Sequence, residues 1–148
     1  MKISTKGRYA LALMMYLAQN YHNGDYLAAA NISNHLSISK TYLEQVLELL
    51  KRGQMVNSVK EGQDGYQLAQ MPQNITVYDI LSSVEQTLFE STEETVRKKA
   101  PEIDLAMHSA VFEVLDRTIK NTLQKITLTD LLINAEKHQE DQGLMFFV

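Results

Sequence analysis

Cysteine is absent from this chain of 148 residues. Its absence excludes disulfides, catalysis by a thiol, and zinc or iron–sulfur sites built on thiolates. Long hydrophobic runs are missing too: no apolar stretch approaches the roughly 18 residues of a transmembrane helix, and residues 1–6 do not begin a secretory signal. These absences favour a cytoplasmic protein with no membrane partner.

Motifs of catalytic, phosphate-binding and metal sites do not occur either. His22, His35, His108 and His138 are scattered, without the spacing at which two histidines share one ion. The carboxylates between residues 85 and 99 have no catalytic partner nearby, so a solvated connection explains them better than an acid–base pair. We therefore predict that the protein is not an enzyme and has no catalytic residue, metal ligand or cofactor.

The composition is that of one ordinary domain, or of a small domain with an appendage. Apolar residues make up 45% and charged residues 22% of the chain, which is enough to form a core without a disulfide or a metal. The net charge of −4 is unevenly spread. Residues 1–70 hold seven basic and five acidic residues, whereas residues 71–148 hold seven and thirteen. This asymmetry indicates a mildly basic front module and an acidic rear one.

The first half of the chain predicts a helix-turn-helix. We expect Thr5 to cap a first helix, whose apolar residues recur at helical spacing. A short second helix covers residues 28–35, and Ser39 caps a third helix over residues 40–51 that ends before Gly53. A short helix, a tight turn and a longer helix are the outline of this motif.

The polar face of the third helix suggests contacts with DNA bases. At about 100° per residue, Thr41, Gln45, Glu48 and Arg52 lie opposite the apolar residues of that helix. Glutamine can pair with adenine through two hydrogen bonds, threonine can contact the methyl group of thymine, and glutamate can accept from cytosine. The alternative is a merely solvated helix face, and the preceding short helix and turn favour base contact over it.

A β-hairpin is predicted directly after the third helix. Residues 55–59 and 66–69 have the pattern of two strands around a glycine-containing turn. A helix-turn-helix followed by a hairpin is a winged helix, and Lys60 would lie at the wing tip, close to the DNA backbone or minor groove. The expected fold is mainly α with this one small β-hairpin.

Three segments carry a resemblance to a known family. Residues 1–10 (MKISTKGRYA), 38–45 (ISKTYLEQ) and 65–68 (GYQL) resemble the Rrf family of bacterial winged-helix transcriptional regulators, and the resemblance covers nearly the whole chain. It implies a homodimeric transcription factor whose third helix enters the major groove and whose wing reaches the minor groove. The cysteine-free, CymR-type members resemble the chain best. They imply a regulator without an iron–sulfur cluster, with a role in cysteine and sulfur metabolism and control by a protein partner.

The polar face and the resemblance together give the candidate DNA-binding residues. These are Lys2, Lys6, Ser39, Lys40, Thr41, Tyr42, Glu44, Gln45, Glu48, Arg52 and Lys60. The wing departs from the family pattern, because Glu61 and Asp64 stand where the family has glycines and Lys60 where it has arginine. Acids repel phosphates, and lysine suits the minor groove less well than arginine. We therefore predict a folded wing that adds little affinity.

The second half of the chain predicts a helix opened by a Thr76–Asp79 capping box, a polar connection, a long helix and a last helix. The long helix covers residues 102–125, and the last opens at Thr127 and ends before a polar tail at residues 139–143. The apolar stripe of the long helix is broad enough to pack both on its own winged helix and on a second copy of the chain, whereas the alternative is a core helix that packs only within its own chain. Its predicted dimerisation residues are Ile103, Met107, Val111, Val114, Leu115, Thr118 and Leu123.

The sequence thus predicts two parts and one function. Residues 1–84 form the winged helix-turn-helix, and residues 85–148 form the linker, the dimerisation helix and the C-terminal helix. The predicted function is that of a homodimeric repressor that binds double-stranded DNA at a pseudo-palindromic operator. The alternative is a dimeric adaptor that has lost specific DNA binding and acts through protein partners, which the acidic second half and the altered wing leave open.

Overall fold

The structure is a computed structural model that describes residues 2–21, 24–59 and 65–146, with side chains to residue 143. Lys60 and the rest of the predicted wing tip, residues 60–64, lie outside the described residues, as does His22. None of the described helices is long and apolar enough to cross a membrane.

Helices and one β-hairpin make up the described part of the chain, which confirms the predicted fold class. The helices of the first half are α1 (Thr5–Gln19), α2 (Ala29–Leu36), α3 (Lys40–Arg52) and α4 (Val77–Val84). The hairpin strands are β1 (Val56–Val59) and β2 (Gly65–Leu68), and Pro72–Asn74 form a single 3₁₀ turn. The second half contains α5 (Pro101–Met107), a π-helical turn (His108–Phe112), α6 (Glu113–Gln124) and α7 (Leu128–Phe146).

The caps of the helix-turn-helix are formed by serine hydroxyls. Ser39 Oγ accepts the N–H of Tyr42 at 3.3 Å, so Ser39 caps α3 as predicted. The prediction for α1 was wrong by one residue: Ser4, not Thr5, is the cap, and its Oγ accepts the N–H of Gly7 at 3.0 Å. Ser37 turns the chain between α2 and α3 with a left-handed backbone, φ 55°.

The hairpin is antiparallel, with Val56 opposite Leu68 and Val59 opposite Gly65. Leu27 pairs with Tyr66 at its edge through two backbone hydrogen bonds of 2.9 Å, which the sequence did not predict. Gly65 permits this close approach, since a Cβ there would lie 2.5 Å from Cβ of Tyr26. The described strands of the wing are therefore fixed to the chain just before α2.

The hydrophobic core lies between α1, α3 and α4, and α7 joins it. Thr76 and Thr127 each exchange capping hydrogen bonds with an aspartate three residues later, at 2.9–3.1 Å. The two capped ends are also joined to each other, because Val77 N–H donates to the Ile126 carbonyl at 2.8 Å. Leu128 is completely buried in the same core. The C-terminal helix therefore packs on the winged helix.

The predicted polar tail at residues 139–143 was wrong, since α7 continues through these residues to Phe146. No proline interrupts α7, and glutamine, glutamate and lysine are good helix formers. A polar composition therefore did not mark the end of the helix.

The α5 helix, the π turn and α6 form one continuous helix over residues 101–124, called the long helix below. A π turn inserts about one extra residue into the helical repeat. The side chains that face the body of the protein consequently stay in line on both sides of it: Asp104, His108, Phe112, Asp116, Ile119 and Leu123 are buried or half-buried. Asp104 is the only fully buried residue of residues 101–124, all of which the structure describes.

Candidate nucleic-acid interface

The third helix of the winged helix has two chemically distinct faces. One face is buried in the core and consists of Leu43, Val46, Leu47 and Leu50. The opposite face is exposed and carries Thr41, Gln45, Glu48 and Arg52, as the sequence predicted. The core therefore fixes α3 in position and leaves hydrogen-bonding side chains exposed on its outer surface.

Two ion pairs lie along this exposed face. Lys40 Nζ is 3.9 Å from Glu44 Oε1, and Arg52 Nε is 3.4 Å from Glu48 Oε1. All four side chains are more than half exposed, and such pairs contribute little to stability. The pairs reduce the repulsion between the two acids and an approaching phosphate, and each cation can exchange its acid for DNA at little cost.

The amino-terminal residues of the chain reach the same side of the molecule. Lys2 and Lys6 line a groove of about 800 Å³ together with Tyr42 of α3. Tyr42 is half-buried and meets the ring of Tyr9 edge-on, with centroids 5.4 Å apart. The structure therefore brings Lys2 and Lys6, which are far from α3 in sequence, beside its first turn.

The hairpin flanks the other side of α3. Lys40 and Glu44 share a second groove, of about 420 Å³, with Tyr66 of β2 and residues 28–31. Ser39 is exposed at the start of α3, where it caps the helix. Of the predicted DNA-binding residues, Lys60 alone lies outside the described part of the chain; the others belong to α3 and its cap or, as Lys2 and Lys6 do, line a groove beside α3.

The predicted dimerisation residues lie on the long helix, and most of them are exposed. Ile103 and Leu115 are 52% and 53% exposed, and Val111 and Val114 are 46% and 40% exposed. Thr118 is exposed and its hydroxyl donates to the Val114 carbonyl at 2.7 Å, whereas Met107 and Leu123 are half-buried. The described chain thus leaves uncovered a group of aliphatic side chains that a solvated helix would not need.

The polar connection between α4 and the long helix is held by three side chains, of which sequence reasoning missed two, Asp104 and Asp116. Asp104 Oδ1 accepts the N–H groups of Thr95 and Val96, at 2.8 and 3.0 Å. Asp116 accepts the N–H and the hydroxyl of Thr92 at 3.1–3.3 Å. His108 places its two ring nitrogens 3.1 Å from the carbonyl oxygens of Asp104 and Thr92.

These contacts shift the ionisation of two groups. The backbone N–H groups of Val96 and Thr95 lower the pKa of the Asp104 carboxyl, and the nearby His108 lowers it further. The carbonyls of Asp104 and Thr92 raise the pKa of His108, and the charges of Asp104 and Glu113 raise it further. A neutral imidazole has only one N–H, so it can satisfy only one of the two carbonyls, whereas the protonated ring satisfies both.

The described residues contain no group of side chains that could bind a metal ion. No three histidine or carboxylate side chains among residues 2–21, 24–59 and 65–143 are close enough to hold an ion. An iron–sulfur cluster bound through cysteine thiolates does not fit this chain, which has no cysteine.

A buried helix-turn-helix, an exposed polar third helix and an adjacent hairpin define a winged-helix DNA-binding protein. Comparisons with known proteins agree. Residues 3–134 match the Rrf2 family, described as "Iron-dependent Transcriptional regulator". The chain therefore belongs to the Rrf2 family of transcriptional regulators, and it is a regulator and not an enzyme.

Individual relatives include transcriptional regulators named CymR and IscR. The HTH-type transcriptional regulator CymR of Bacillus subtilis is 34% identical, with complete coverage of both chains. IscR of Klebsiella pneumoniae is 30% identical over 92% of this chain and 82% of its own length. Among solved structures, T. potens IscR superposes with a TM-score of 0.73 at 34% identity, covering 99% of this chain and 96% of that one. The B. subtilis CymR structure has a TM-score of 0.72 at 28% identity, covering 90% and 98%.

Proposed function

We propose that this protein is a homodimeric repressor that binds a pseudo-palindromic DNA operator and works without an iron–sulfur cluster. The observation that carries the proposal is the division of α3 into a buried apolar face and an exposed face with Thr41 and Gln45 at its centre. In this proposal these two side chains contact base edges in the major groove, while Lys2, Lys6 and Lys40 bind phosphates.

The exposed aliphatic side chains of the long helix support the dimer. Burying Ile103, Val114 and Leu115 against the same residues of a second copy would remove apolar surface from water, the dominant favourable term in association. A two-fold dimer presents two α3 helices about one turn of DNA apart, which matches an operator with two half-sites.

The physiological role is proposed by analogy. The B. subtilis relative CymR is described as a global cysteine regulator, and its likeness covers the whole of this chain. We infer a role in cysteine and sulfur metabolism, exerted on the chromosome in the cytoplasm. Control by a regulatory protein partner fits a chain that lacks the thiolates a cluster-sensing regulator would use.

Sequencing the genomic DNA that co-purifies with the protein tests the proposal. We expect enrichment of a pseudo-palindromic site. A duplex with that site should bind at least about a thousandfold more tightly than a scrambled one at the same salt concentration. Equal affinity for the two duplexes at every salt concentration would refute specific DNA binding and leave the adaptor function.

A further inference from the structure

The first turn of α1 lacks a residue that the first turns of α4 and α7 have, an aspartate that completes a capping box. In a capping box, the cap hydroxyl accepts the N–H of the third helical residue, and the side chain of that residue accepts the N–H of the cap. Both bonds form locally in α4, between Thr76 and Asp79. In α1 the cap is Ser4 and the third residue is Gly7, which has no side chain to return the second bond.

Glu85, the residue that follows α4, supplies the missing carboxylate. Its Oε1 accepts the N–H of Ser4 at 3.1 Å. Gly7 leaves the space that this requires, because a Cβ at residue 7 would lie 3.0 Å from Glu85 Oε1 and 2.8 Å from Ile3 Cγ2. The capping box of α1 is thus completed from outside the helix, 81 residues away in sequence.

The carboxylate also lies where it can control the proposed phosphate contacts. Glu85 lines the same groove as Lys2, Lys6 and Tyr42. Residues 2–4 precede α1 and belong to no helix or strand, so contacts with the rest of the protein must fix their position. The Ser4–Glu85 hydrogen bond ties this arm to the body beside α3.

We propose that Glu85 is a positioning residue for DNA binding, which holds the amino-terminal arm at the first turn of α1, so that Lys2 of the arm and Lys6 of that turn face the DNA backbone. The inference rests on the proposed function, in which those lysines bind phosphates. According to this inference, Glu85 increases the affinity for DNA, although its negative charge alone would repel DNA.

Two substitutions separate the hydrogen bond of Glu85 from its charge. Glu85→Gln keeps an acceptor for the Ser4 N–H and removes the charge, whereas Glu85→Ala removes both. Glu90→Ala is the matched control, since Glu90 is an exposed acid of the same connection and its loss changes the net charge equally. Binding of each variant to the selected duplex is measured by fluorescence anisotropy between 50 and 300 mM salt, roughly the range in which phosphate contacts dominate.

We expect Glu85→Ala to bind roughly three- to tenfold more weakly than the parent, with a salt dependence shallower by about one counterion. Glu85→Gln should bind at least as tightly as the parent, and Glu90→Ala should stay within about twofold of it. If both Glu85 variants bind more tightly than the parent, Glu85 acts only by repulsion and the inference is wrong. If Glu85→Ala equals Glu90→Ala, the arm is not positioned by Glu85, which also overturns it.

A measurement without DNA checks the arm itself. Because the chain has no cysteine, Lys2→Cys allows a single spin label to be attached to the arm. The label should be more mobile when Glu85→Ala is added and unchanged when Glu90→Ala is added. Equal mobility in all three proteins would contradict the inference. Failure of the proposed function would look different, since the parent would then bind the selected and scrambled duplexes alike.

Discussion

Gln45 offers the sharpest test of base recognition by α3. Its side chain is exposed, and no hydrogen bond or ion pair joins it to the described residues. Truncation to alanine should therefore change the free energy of unfolding by less than about 0.5 kcal/mol. Any larger effect on DNA binding must then come from contacts made in the complex and not from damage to the fold.

The expected loss follows from one pair of hydrogen bonds. A bidentate glutamine–adenine contact is worth about 1–3 kcal/mol of discrimination, or roughly 5- to 150-fold in affinity. Gln45→Ala should show this loss on a duplex with one half-site. On a full operator two copies of Gln45 are removed, so the loss should approach the square of that factor.

The assay compares the selected duplex with a scrambled one of equal length, by anisotropy at fixed salt. Gln73→Ala is the control, since Gln73 is another exposed glutamine and lies on the 3₁₀ turn that contacts α7. Binding to scrambled DNA should be unchanged within about twofold, because phosphates do not depend on Gln45. Equal losses on both duplexes would refute the assignment of Gln45 to a base.

Three further substitutions test the dimer, a helix cap and the role of His108, and a metal analysis tests the predicted absence of iron. Val114→Glu should convert the dimer into monomer or unfold it, as light scattering would show; a wild-type monomer at micromolar concentration would refute the dimer. Thr76→Ala should lower the free energy of unfolding in urea by about 1 kcal/mol, whereas no change would contradict the capping role. Because the pKa of His108 is raised, its stabilisation is complete below pH 6.5 and is lost as the pH rises through the folded-state value. The excess in Tm of the parent over His108→Gln should therefore shrink as the pH rises above 6.5, and a constant difference would contradict this. The purified protein should contain no iron, and chelators should not alter DNA binding; stoichiometric iron would overturn this.

The helices could be predicted from the sequence because their signals are local. The apolar stripe and Ser39 located α3 within a residue of its observed bounds, and the Thr76–Asp79 pair located the start of α4. The cap of α1 could not be predicted in the same way, since Ser4 and Thr5 both carry suitable hydroxyls. The Ser4 N–H is bound by Glu85, which belongs to a distant part of the chain. The local sequence therefore leaves Ser4 and Thr5 as equal candidates for the cap, and the observed cap, Ser4, is the one that also has a tertiary hydrogen bond, to Glu85.

The face of α3 could be predicted for the same reason, but the grouping of Lys2 and Lys6 with Tyr42 could not be derived from spacing. Helical periodicity orders residues within one helix and says nothing about which helix ends meet. The resemblance to the Rrf family supplied the two lysines as candidates, and the packing of α1 against α3 and α4 brings them to the groove.

The connection at residues 85–100 shows what composition reveals and what it hides. Its polar sequence predicted a solvated segment, and the side chains of residues 91–99 are indeed exposed. Its backbone is nevertheless bound by Asp104, His108 and Asp116.

In a regular helix the twelve residues from Asp104 to Asp116 would turn the second aspartate roughly 120° away from the first. The π turn at His108–Phe112 absorbs about one residue of that spacing, so that the two carboxylates face the same segment. Side-chain polarity therefore predicted the solvent exposure of this segment. Its attachment to the long helix depends on the π turn, which a prediction based on a regular 3.6-residue repeat does not include.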